Sequence, residues 1–119
     1  MIKWHELMTG TKNWRQEKAD YKQFKARVAT LPADYQFVFK AIQDYLWQFA
    51  DFTGYRMLAA QEDLLILFED GMANDQSVYA LTGDDVGDFA DNIVRAVADT
   101  WLDERRQKLN RKVTNYRKR

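Results

Sequence analysis

Between Tyr35 and Met72 two strongly apolar segments meet at Phe52-Thr53-Gly54-Tyr55, and their spacing decides the fold class. In the first segment Tyr35, Val38, Phe39, Ile42, Tyr45, Leu46, Phe49 and Phe52 recur at three, four and seven residues. At helical spacing they cover a face about 140° wide, which suits a helix packed against two neighbours. In the second, Leu58, Leu64, Leu65, Phe68, Met72 and Tyr79 align on one side, with Leu67, Gly71 and Val78 on its shoulder. The two segments predict two long helices, the first from about Ala33 to Phe52. Asp51, Thr53 and Gly54 mark the break, and Thr53 is placed to cap the second.

The flanks repeat the pattern. Trp14, Tyr21, Phe24, Val28 and Leu31 predict a helix from about Lys12 to Thr30, which Pro32 stops while starting the next. Ile2, Trp4, Leu7 and Met8 predict one short helical turn or two ahead of the break at Thr9-Gly10. Leu81-Thr82-Gly83-Asp84-Asp85 is the clearest punctuation: Gly83 closes one helix, and Thr82 or Asp84 caps another with acids in its first turn. That helix aligns Val86, Phe89, Ala90, Ile93, Val97 and Thr100, with Trp101 at its edge. Gly71 inside the third helix costs about 1 kcal/mol relative to Ala. Either the helix is interrupted there, or a neighbour approaches too closely for a Cβ.

Beyond Trp101 the apolar pattern changes direction. Leu102, Leu109, Val113 and Tyr116 recur at seven, four and three, yet point roughly 150° from the Val86 face if the helix runs straight. The tail therefore either bends to pack on its own core or offers a separate seam to a partner. One Pro and five Gly in 119 residues argue for short connections. The fold class expected is all-α: an up-and-down four-helix bundle with a short N-terminal helix over residues 1–104, and a basic helical C-terminal extension of the same domain over 105–119.

Charge is divided along the chain. Residues 1–40 sum to +4, residues 41–104 to −12 and residues 105–119 to +8, for a net charge of zero. Arg15, Lys18, Lys22 and Lys25 fall on one side of the first helix. Arg105, Arg106, Lys108, Arg111, Lys112, Arg117, Lys118 and Arg119 fill the tail. Two uses of these cations stand open: docking on the acidic helices, within one chain or across a dimer, and contact with phosphates of nucleic acid or an anionic surface. Phe37, Trp47 and Ile66 lie off the apolar stripes of their helices. Core or lid contact is their expected fate, and a cluster with Leu109 and Val113 would mark a protein partner.

The run Leu31-Pro32-Ala33-Asp34-Tyr35-Gln36-Phe37-Val38-Phe39-Lys40, the segment from Asp63 to Ala73 and Leu81-Thr82-Gly83-Asp84-Asp85-Val86 resemble a bacterial family of small helical proteins of unknown function. Its members are loosely labelled ferritin-like DNA-binding proteins and sit beside regulators of the PadR type. The resemblance covers most of the chain, from Trp14 to Arg111, and implies a four-helix bundle with no established activity.

The ferritin-like label is testable on residues. Di-iron bundles converge Glu-x-x-His pairs from facing helices, and no Glu-x-x-His occurs here. The one histidine, His5, lies outside the predicted bundle helices. Glu62 and Glu69, like Asp63 and Asp70, stand two turns apart, about 10 Å along the axis, too far for either pair alone to hold one ion. A solvated acidic face is the plainer expectation. With no cysteine, thiolate sites and disulfides drop out, and a reducing cytoplasm fits. Gly54, Gly71, Gly83 and Gly87 are too scattered for a phosphate loop, and Asp84, Asp85, Asp88 and Asp91 suit a helix start. The N-terminus does not read as a signal peptide, and no apolar run is long enough to span a membrane.

The expectation is a cytoplasmic, non-enzymatic protein-interaction or regulatory module that needs no cofactor. Its partner would be another protein or a second copy, as a homodimer. The candidate interface residues are Phe37, Trp47, Leu102, Leu109, Val113 and Tyr116. Weak, sequence-independent DNA binding through Arg15, Lys18, Lys22, Lys25, Arg105, Arg106, Lys108, Arg111 and Lys112 is the alternative, and a ferritin-like metal protein the third reading.

Overall fold

The computed structural model describes residues 14–49 and 55–118. They form five helices in an all-α fold: α1 (Trp14–Ala29), α2 (Ala33–Trp47), α3 (Tyr55–Ala73), the short α4 (Val78–Thr82) and α5 (Val86–Arg117). The N-terminal turn expected over Ile2 to Met8, His5 and the Phe52-Thr53-Gly54 break lie outside the described residues.

Local chemistry sets the boundaries. The end of α1 tightens into i→i+3 bonds, Thr30 N to Arg27 O and Leu31 N to Val28 O. The Gln36 side chain then donates to the Ala29 and Leu31 carbonyls at 3.1 and 2.7 Å, filling acceptors the helix leaves open. Pro32 occupies the N-cap of α2, and its carbonyl accepts from Gln36 N. The second helix stops at Trp47, one turn before the expected Phe52, with Gln48 and Phe49 closing it through i→i+3 bonds.

The core is a run of edge-to-face rings. Phe24 of α1 meets Phe39 of α2 at 5.9 Å, Phe39 meets Phe68 of α3 at 5.7 Å, and Phe68 meets Tyr35 at 5.6 Å. Ile42, Leu46, Met57 and Leu65 close over it, fully buried, and Val78 and Ala90 bring in α4 and α5.

Both alternatives for Gly71 hold in part. A Cβ there would lie 2.5 Å from Leu81 Cδ1 and 2.9 Å from the Tyr35 hydroxyl, so α4 and α2 press on bare backbone. The helix also ends soon after, at Ala73. Asp75 takes a left-handed φ of 54°, while Asp75 N bonds Met72 O and Gln76 N bonds Gly71 O, the pairing of a Schellman stop. This break resets the helical phase, and the expectation that Tyr79 continues the α3 stripe fails for that reason. In α4 it is Val78 that is buried and Tyr79 that faces out. Ser77 caps α4 by accepting from Ala80 N, and Gly83, at φ 76°, closes it as expected.

The cap of α5 is Asp85, whose carboxylate accepts from Asp88 N at 2.9 Å, in place of the expected Thr82 or Asp84. The helix then continues unbroken for 32 residues, about 48 Å. Its first half packs on the core through Val86, Phe89, Ala90, Ile93, Val94 and Val97. From Arg105 to Lys118 every residue is exposed. The molecule is accordingly long, 60 × 36 × 24 Å.

Candidate interaction surfaces

The acids on α3 are the first surprise. Asp63 and Asp70 are exposed, as a solvated face requires, but Glu62 and Glu69 are only partly so, and both their carboxylates grip Arg27 of α1. Arg27 Nη1 donates to Glu62 at 2.6 Å, while Nε and Nη2 fork onto the two Glu69 oxygens at 3.1 and 2.7 Å. The bonds from Arg27 hold the Glu69 carboxyl below the ordinary carboxylate range, and the two glutamates push Arg27 further up. Arg27 had no place among the basic candidates, because it sits off their side of α1. The available signal was Glu62 and Glu69 at i, i+7, two carboxylates on one face that call for a cation between them.

The other acids are structural where they are bonded. Asp85 caps α5, and Asp91 accepts the Tyr45 hydroxyl of α2, a bond that raises the Tyr45 pKa above its usual value. Among the described residues no group of three or more His, Cys, Asp or Glu stands together as a metal ion would require.

Arg15, Lys18, Lys22 and Lys25 share the exposed side of α1, and Lys25 Nζ lies 5.4 Å from the Tyr21 ring centroid. The tail cations stand on a different helix. Arg105 stacks over Trp101 at 5.2 Å, Arg106 pairs with Asp103 one turn back, and Lys108, Arg111 and Lys112 are exposed along α5. Arg119 lies outside the described residues. Of the two basic ends, then, α1 sends one cation into the acidic helices, and the extension points away from them. Its junction is held by Arg56 of α3, which pairs with Glu104.

Because α5 does not bend back, its second apolar stripe stays in the open. Leu102, Leu109, Val113 and Tyr116 line one side of the extension and are 40 to 75% exposed. Arg105, Arg106 and Lys112 flank them. Phe37 and Ile66, for which core or lid contact was expected, are exposed instead, since no described helix covers the outer sides of α2 and α3 where they sit. Trp47 is half-buried in a cavity of about 500 Å³ between α1 and α2, with Phe24, Val28 and Lys40, so it does not join the tail stripe.

A further surface was not foreseen. Between α3 and α5 lies an apolar groove of about 540 Å³, floored by Leu64, Leu67, Phe89, Ile93 and Val97. Ala59, Ala60 and Ala96 leave the space, and Asp63, Arg56 and Thr100 stand among its lining. The alanines are the signal sequence reading passed over: small residues at facing helical positions keep two backbones close but leave the volume above them empty.

Residues 12–114 match the model of a family described as "Protein of unknown function (DUF1048)". The chain is also similar to a solved DUF1048 protein from Bacillus cereus, described as having a left-handed superhelix fold. The two are 49% identical over 64% of this chain and 94% of that one, with a TM-score of 0.59. No curated protein matches. The match carries no label of metal storage, DNA binding or a neighbouring regulator.

Proposed function

The chain belongs to the DUF1048 family of proteins of unknown function, and on that footing we propose that it is a non-enzymatic protein-interaction module whose basic C-terminal extension is the contact element. The observation that carries this is the exposed stripe of Leu102, Leu109, Val113 and Tyr116 on an unbroken helix beyond the bundle. Four apolar side chains at helical spacing bury area against an apolar partner, and the flanking cations steer and orient that partner. Residues 1–104 serve as the scaffold and residues 105–119 as the extension of the same domain. Absence of cysteine supports a cytoplasmic setting. Among the described residues no helix is long and apolar enough to cross a membrane.

Phosphate binding would use the exposed Lys108, Arg111 and Lys112 but would leave the apolar stripe in water, which is why the DNA reading stands second. A photo-crosslinking residue at Leu109 of the full chain, activated in the cell, separates the two. Protein adducts at Leu109, lost in a Val113→Glu background and absent from a probe at Lys40, are the expected result. Adducts to nucleic acid alone, or none, would overturn the reading.

A further inference from the structure

Resting on that reading of the extension, we infer that its partner is a second copy of this chain, and that the extension of one molecule lies in the α3/α5 groove of another.

Three observations converge on this pairing. The first is apolar complementarity. Among the described residues the extension exposes an apolar stripe, and the groove between α3 and α5 is apolar along its floor, whereas the cavity beside Trp47 has Lys25 and Lys40 in its lining and suits a cationic helix less well. Stripe and groove agree in length: Leu102 to Tyr116 spans about 21 Å of helix, and Phe89 to Thr100 along the groove about 17 Å.

The second is charge. The extension carries +8 and the segment 41–104 that forms both groove walls carries −12. Asp63 lines the groove, and Asp70 stands exposed two turns further along the same side of α3. The one cation in the lining, Arg56, is already paired with Glu104. Cations flanking the docked stripe can therefore reach Asp63 and Asp70, the two acids on this side of α3. In a seam between two extensions, Arg105, Arg106 and Lys112 would instead lie against their like, at a cost.

The third is connectivity. Since α5 is one continuous helix, residues 102–116 lie beyond the groove that its own residues 89–100 help to form, and they cannot fold back into it. Occupancy is possible only in trans. The contact joins two different surfaces, so it closes as a reciprocal pair or continues head to tail.

The absence of native cysteine makes the test direct. Full-length chains carrying Val113→Cys on the extension are mixed with chains carrying Thr100→Cys in the groove, under mild oxidation at low salt. Thr100 is exposed, and Ala59→Cys serves as a second groove position should Thr100→Cys perturb the helix. The mixed disulfide is expected about tenfold over the proportion that random pairing gives, because docking raises the local concentration of the two thiols. Wild-type mass by light scattering is expected to rise with concentration and fall back at high salt. A disulfide between two Val113→Cys chains alone would place the seam between extensions and overturn the groove assignment. A monomeric mass at every concentration, with random disulfides, would overturn self-association altogether. In that event the Leu109 crosslinks still report independently: adducts to a different protein leave the interaction reading standing, and nucleic acid adducts remove it.

Discussion

Arg27 and Glu69 meet fork to fork, Nε on one carboxylate oxygen at 3.1 Å and Nη2 on the other at 2.7 Å, and this contact ties α1 to α3. Bidentate pairing is stronger and more directional than a single surface ion pair, although partial exposure screens it. We expect Arg27→Ala to lower stability by about 1–2 kcal/mol, read as a shift in urea midpoint, and Arg27→Lys to recover less than half, since an ammonium cannot fork. The acid side follows from the depressed Glu69 pKa. Its contribution is complete above the ordinary carboxylate value of 4.5 and is lost as pH falls through the lower folded-state value. The gap between wild type and Glu69→Gln should therefore be full at pH 6 and close progressively below pH 4.5. A gap independent of pH would show that the fork does not set α1.

Gly71 tests the close approach of α4. Alanine is the better helix former by about 1 kcal/mol, yet its Cβ would meet Leu81 Cδ1 and the Tyr35 hydroxyl inside contact distance. Leu81 is a flexible end that can shift. Tyr35 is anchored by its bond to the Gln76 carbonyl at 2.6 Å. Gly71→Ala should destabilise by about 1–2 kcal/mol, as overpacking does, and Leu81→Ala should recover part of that loss in the double variant. Strict additivity of the two losses in urea unfolding would mean that they do not share the space.

Gln61 is an amide where a hydrocarbon would do. It is 1% exposed among Met57, Leu64 and Leu65 of the same helix, its Oε1 accepts from Gln43 Nε2 at 3.0 Å, and its Nε2 meets no acceptor among the described residues. A buried donor left unpaired costs about 1–3 kcal/mol, whereas the half-buried Gln43 can turn to water. Gln61→Met should thus raise the thermal midpoint, by about 1 kcal/mol in stability. A loss would identify the amide pair as a required register element between α2 and α3.

How much of this was legible depended on distance along the chain. The buried set Tyr35, Val38, Phe39, Ile42 and Leu46 was readable because a helix writes its core face as a local period, and Pro32 and Gly83 mark ends by their own backbone restrictions. The unbroken α5 was half legible: the change of face at Leu102 was visible, but the choice between bending and projecting depends on whether any neighbour offers apolar surface there. Arg27 with Glu62 and Glu69 was legible only from the acid side: two carboxylates two turns apart on one face call for a cation, but 35 and 42 residues separate the partners and nothing local says which cation answers. The groove escaped for the same reason. It exists only where Ala59 and Ala60 of α3 come opposite Ala96 of α5.

The extension offers the cleanest separation of stability from function. Leu109 and Val113 are exposed and their nearest chain neighbours are polar or charged, so Leu109→Glu with Val113→Glu removes no core contact. Both side chains sit within the last turns of a 32-residue helix, where glutamate is an adequate helix former, and new pairs with Arg105, Lys112 and Arg117 offset both its unfavourable place near a helix C-terminus and the repulsion between the two glutamates, which stand four residues apart. The double variant should unfold within about 0.5 kcal/mol of wild type, the range of a surface substitution. It should nevertheless lose all concentration-dependent mass. Lys108→Gln with Arg111→Gln makes the converse change, removing charge and sparing the stripe, and should weaken association mainly at low salt. If the charge variant abolished association at every salt concentration while the glutamate pair left it intact, the extension would be acting through its cations alone, and phosphate would be the ligand to pursue.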